Sequence, residues 1–210
     1  MRVTSISSSP VRVSPQQERS ARRFAGFLEA AAELFAELGY EATTMQAIAD
    51  RSKSSIGALY NYFPDKQSVA ATLHSQYSEE LQKRLQLFIE DSRKLSISRF
   101  AESFIEHMVT FAQERPAWLN LVGAPIQYRR DLAARRALRT GIADAFRAKN
   151  RSLSPERGLL AANVAVQIVK AMMALYRESD AKSREAVPAE FRKVLAAYLE
   201  GVLSEREVLD

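Results

Sequence analysis

Apolar residues recur every three or four positions through almost the whole chain, and Val and Ile form no alternating runs. Such a period puts one apolar face on each helix, whereas a half-buried strand needs alternation. The first long stripe is Phe24, Phe27, Leu28, Ala31, Leu34, Phe35 and Leu38, with Glu29, Glu33 and Glu37 opposite it. Seven Gly and seven Pro in 210 residues are few for a fold rich in tight turns. The expected fold class is therefore all-α, with about nine helices and no strand.

Punctuation divides the stripes. Ser14, Pro15 and Gln17 form a capping-box pattern with Pro at the first helical position. Gly39 is placed to end that helix in a left-handed conformation. Thr43 or Thr44 caps Met45–Arg51, Ser55 caps a stretch to Tyr62, and Pro64 with Asp65 starts a helix at Lys66. Further helices are expected over 100–115, from about Ile126 to Asn150, from Pro155 to about 177, and after Pro188. The expected domains are a disordered tail over 1–13, a helix-turn-helix unit over 14–65 and a larger helical unit over 66–210.

Composition removes several chemistries. There is no Cys, and the only histidines are His74 and His107. A disulfide scaffold, a cysteine nucleophile and a multi-histidine metal site are excluded; no metal and no cofactor are expected. No Gly-rich phosphate loop or Gly-x-Ser-x-Gly elbow occurs, so an enzyme is not expected. No apolar run reaches the roughly 18 residues of a membrane span, and Met1-Arg2 precede no apolar leader core. A cytoplasmic protein without a membrane partner is the expectation. The net charge of +5 permits an anionic partner.

Residues 44–63 read as a helix-turn-helix: Ile48 and Ala49 can pack on Leu59 and Phe63. The second short helix carries Ile56, Gly57 and Ala58 on its first turn, slim enough to enter the DNA major groove. Tyr60, Asn61, Tyr62 and Lys66 follow and can donate to phosphate oxygens. The stretch FLEAAAELFAELGYEATTMQAIA at 27–49, with GALYNYFPDK at 57–66, resembles the DNA-binding domain of the tetracycline-repressor (TetR) family.

The resemblance implies that Thr44 caps the second helix and touches phosphate, that Ile56, Gly57 and Ala58 face base edges, and that Tyr60, Tyr62 and Lys66 bind the DNA backbone. Lys53 and Ser55 complete the candidate DNA-binding set. Across the turn the family usually has Ala-Gly-Val-Ser; here Ser52-Lys53-Ser54-Ser55 stand. Lys53 at the Gly position costs about 1 kcal/mol if its φ is positive, and adds a cation near phosphate. Residues 1–23 hold five arginines against Glu18 alone, so this stretch is a candidate phosphate-binding arm. Residues 24–50 hold five acids and no base, which should face away from DNA.

The helix over 156–177 is apolar nearly all round, and the last helix carries a full stripe. A homodimer pairing these two helices in a four-helix bundle would cover both. Its expected interface is Leu160, Val164, Gln167, Phe191, Leu195, Tyr198, Leu199 and Val202, and the resemblance implies the same dimer. An inducer pocket is implied too, with Phe104, Met108, Phe111, Trp118 and Met172 as candidate walls, and with Arg129 or Arg130 at its mouth. Eight basic residues over 127–151, against Asp131 and Asp144, read as a solvated face. The expected function is a repressor of a double-stranded DNA operator, released by a small-molecule ligand. The alternative is a DNA-binding regulator controlled by a protein partner.

Overall fold

The computed structural model describes residues 15–125 and 132–204. Among them the secondary structure is helical throughout, in nine helices. They are α1 (Pro15–Ala42), α2 (Met45–Arg51), α3 (Ile56–Tyr60), α4 (Lys66–Ser92), α5 (Ile97–Glu114), α6 (Pro116–Val122), α7 (Leu132–Lys149), α8 (Pro155–Glu178) and α9 (Ala181–Ser204). The 1–13 tail, the Ser14 cap, Arg129 and Arg130 lie outside the described residues. So does the expected start of a helix at Ile126; α7 is described from Leu132.

Breakers act where the sequence puts them. Gly39 takes φ 77°, which bends α1 three residues before its end. Asp65 accepts from the Ser68 amide at 2.7 Å, and Ser68 reciprocates, closing a capping box at α4. Ser96 and Ser154 cap α5 and α8. Pro188 behaves differently from expectation: it lies inside α9 instead of before it. The start lies at Asp180, whose carboxylate accepts from the Ser183 amide at 2.8 Å. As the eighth residue of α9, Pro188 lies past the first turn and leaves the Arg184 carbonyl without the amide that would bond it there.

Two cores result. The N-terminal one joins Phe27, Phe35, Ile48, Leu59 and Phe63 to Val69 and Leu73 of α4, and also takes Ala117 and Leu121 of α6. The C-terminal one is aromatic: Phe100 meets Phe146 edge-on at 5.3 Å and Phe111 meets Trp118 at 5.0 Å. Helix α4 belongs to both, since Leu85, Phe88 and Ile89 enter the second. The short apolar segment Trp118–Val122 is helical, and its Asn120 donates to the carbonyls of Phe35 (2.8 Å) and Ala36 (3.3 Å).

Three expectations concern this packing. Leu195, Leu199 and Val202 are buried within the subunit, so they cannot form an interface between copies; Phe191 and Tyr198 are part-buried against the same core. The reason is that α9 packs on both α5 and α8, which takes up its apolar stripe. Second, Phe104, Met108, Phe111, Trp118 and Met172 are all buried within that core, a place that a filled core and the wall of an enclosed site share. Third, α8 is long and apolar enough by length and composition to cross a membrane, contrary to the sequence reading. Asn163, Gln167 and Lys170 interrupt its apolar run without lowering its average enough. Its buried face, Ala161 to Tyr176, packs on α7 and α9, as a core helix does.

Candidate nucleic-acid interface

The site is built from helix ends. Thr44 caps α2: its hydroxyl oxygen accepts from the Ala47 amide at 3.1 Å. The neighbouring Thr43 is buried and donates to the Gly39 carbonyl at 2.8 Å, which locks the α1–α2 corner. Ser55 caps α3 in the same way, accepting from the Ala58 amide at 3.2 Å. Between them Lys53 takes φ 52°, the left-handed conformation that the turn demands. Ile48, Ala49, Leu59 and Phe63 are buried together, and this fixes α3 against α2.

The arrangement leaves one side of α3 open. Thr44, Lys53, Ser55, Gly57, Tyr60 and Asn61 are exposed, and Tyr60 retains 52% of its surface. Around a Cβ built on Gly57 there is no atom within 4 Å, so the backbone there is free to approach another surface closely. Ile56 and Ala58 are half-buried and lean on the core, so only part of each faces outward. Tyr62 is half-buried against Phe24 and Phe27, and its hydroxyl bonds to Ser20 at 2.9 Å.

Lys66 departs most from expectation. Its ammonium donates to the carbonyls of Tyr40 (2.7 Å) and Glu41 (3.0 Å) and lies 4.5 Å over the Tyr40 ring. It closes the C-terminal end of α1, where free carbonyls attract a cation. Burial raises the Tyr40 phenol above its usual range, helped by the charges of Glu41 and Asp65.

Charge is sorted along α1. Arg51 at the end of α2 bonds Glu33 (3.0 Å) and Glu37 (2.8 Å), and the Arg51 hydrogen bond holds the Glu37 carboxyl below its usual range. Two of the five acids of 24–50 are thereby neutralised by Arg51. Sequence reasoning missed Ser20 and Asn120. A lone Ser or Asn carries no period or spacing signal, so only the three-dimensional fold exposes such contacts.

The family model "Bacterial regulatory proteins, tetR family" matches residues 27–73, and the model "Tetracyclin repressor-like, C-terminal domain" matches 96–199. The chain belongs to the TetR family. TetR-family chains are DNA-binding transcriptional regulators, and α2–turn–α3 is the helix-turn-helix of this one. A stretch of 66 residues, 31% of this chain, is 38% identical to the HTH-type transcriptional repressor KstR of Mycobacterium tuberculosis. It spans only 28% of that relative's length. The fold is similar to a TetR-family regulator from Streptomyces coelicolor (TM-score 0.58, 19% identity, 86% of this chain and 99% of that one). It is equally similar to a TetR variant from Acinetobacter baumannii in complex with minocycline (TM-score 0.59, 18% identity, 86% and 98%).

Proposed function

We propose that this TetR-family chain is a cytoplasmic repressor, not an enzyme, that holds a double-stranded operator as a homodimer and leaves it on binding a small molecule. The observation that carries the reading is the open face of α3: an unobstructed Gly57 backbone flanked by exposed Ser55, Tyr60 and Asn61. A groove-entering helix needs that shape. Thr44, Lys53 and Tyr60 flank it as phosphate contacts; Tyr62 adds its hydroxyl beside Ser20, and Lys66 joins them once released from the α1 carbonyls. The DNA-binding unit is 14–65, and 66–210 serves dimerisation and ligand control.

Two recognition helices must meet half-sites about one DNA turn apart, which requires a dimer. The surface that supports it is the outward side of α8, where Leu160 and Leu175 are about half exposed beside Val164 and Gln167, with Val194 of α9. Among the described residues, two grooves are open to a ligand. An open one of about 720 Å³ runs along α7, and a narrower one of about 210 Å³ lies between α4 and α7. The narrower groove sets Gln82, Gln86, Glu90 and Arg93 beside Ile89, Ala137 and Leu138, which suits an amphipathic compound. The burial of Phe104, Met108, Phe111, Trp118 and Met172 in one cluster supports a second reading, a regulator controlled by a protein partner.

The test is to capture genomic DNA fragments on the pure protein and sequence them. One recurrent fragment with two related half-sites is expected, and random fragments would defeat the reading. Adding candidate compounds should release that fragment over the range in which Trp118 fluorescence changes. Release only by a protein fraction would establish the second reading.

A further inference from the structure

We propose that the first two turns of α1 are a second DNA-binding element, an arm that holds phosphates through Arg19 and Arg23; this rests on the operator reading above. The two turns contribute nothing to either core. Every described side chain from Gln16 to Arg23 is exposed, and burial begins only at Phe24. Helical stability in proteins comes mainly from packing an apolar face, which this stretch lacks.

Its charges are arranged against local stability. Arg19 and Arg23 are four residues apart and so share a face, where like charges repel. No ion pair to either is formed by any described residue, whereas Arg22 is paired with Glu18 at 3.7 Å. Arg51 holds Glu33 and Glu37, which lie ten or more residues further along α1. That is about 15 Å or more, beyond the screening length at physiological salt. A feature that breaks a local rule without a gain inside the fold marks a surface shaped for a partner.

The position of the arm identifies the partner. Ser20 stands next to Arg19 and one turn before Arg23, and its hydroxyl bonds the Tyr62 hydroxyl at 2.9 Å. Phe24 stacks on Phe63 at 5.2 Å and leans on Tyr62 at 6.2 Å. The arm is therefore anchored just past the end of α3, on the flank where the strand bordering the groove must run when α3 is in it. Two unpaired guanidiniums there fit a phosphate backbone.

The experiment measures affinity against salt concentration for full-length protein on the fragment enriched from genomic DNA, and on an unrelated duplex of equal length. Replacing Arg19→Ala and Arg23→Ala together should lower the log–log slope by about 1.8, two phosphates' worth. Both duplexes should lose affinity by the same factor, because phosphate contacts carry no sequence information. Arg19→Lys with Arg23→Lys should keep the slope. Arg22→Ala, already neutralised by Glu18, should change it less. An unchanged slope in a double-Ala variant that still selects the enriched fragment overturns the arm and leaves the operator reading standing. A loss confined to the enriched fragment overturns the phosphate assignment. If the wild-type protein selects no fragment, the operator reading itself falls.

Discussion

The head, α1 to α3, and the bundle, α5 to α9, are stabilised in different ways, and the difference decides what can be changed in each. In the head the critical groups sit at helix ends: the Thr44 and Ser55 caps, the positive φ of Lys53, the Thr43–Gly39 bond. Each fixes a backbone angle, and together they aim α3. In the bundle the caps only start helices, and a solid aromatic core does the rest. Small changes in the head should alter what the protein grips. Comparable changes in the bundle core should alter chiefly how firmly the protein is folded.

The largest effect expected is in the bundle core. Phe146→Ala removes a fully buried ring packed edge-on against Phe100, and should cost about 3–5 kcal/mol in urea unfolding. If half the effect were missing, the bundle would be looser than its packing indicates.

His74 tests the boundary between the regions, because it follows Leu73 of the head core on α4. It is buried, its ring meets Ser78 at 3.3 Å, and burial, then the Arg135 charge, lowers its pKa below 6.5. The unfolded chain then binds the proton more readily than the fold does. Stability should be full above about pH 6.5 and fall with acid below it, by at most about 1.4 kcal/mol per pH unit. His74→Gln should flatten that slope between pH 6.5 and 5.

A matched pair of caps makes the comparison sharper. Thr44→Ala and Ser154→Ala each remove one cap and should each cost about 1 kcal/mol in the same urea assay. Only Thr44→Ala should weaken DNA binding in a gel-shift titration; equal losses from both would erase the distinction drawn above. The smallest change expected is a gain. Lys53→Gly relieves the left-handed residue and should raise stability by about 0.5–1 kcal/mol while lowering DNA affinity, since a cation beside α3 is removed.

This contrast also explains what could be read from the residues. Caps and turns demand particular side chains, so Thr44, Ser55, Asp65 and the strained Lys53 could be placed before any coordinates. A buried bundle face demands only apolar character. Leu195, Leu199 and Val202 make as good a stripe for a partner copy as for α5 and α8, and only the three-dimensional packing tells which. Phe104 and Met172 are equally suited to a cavity wall and to a filled core. Lys66 could reach a phosphate or the α1 carbonyls, and its stem length serves both.

The Asn120 bond to α1 has a mechanical consequence. Its amide grips α1 at Phe35 and Ala36, near the C-terminal end of a helix whose other end carries Arg19. From Ala36 back to Ser20 is about 24 Å of helix at 1.5 Å per residue. With the grip as a pivot, a tilt of about 5° imposed by α6 would swing the arginine end by about 2 Å, enough to break a hydrogen bond to phosphate. A displacement of α6 too small to disturb the bundle core would reach the proposed arm multiplied by the length of α1.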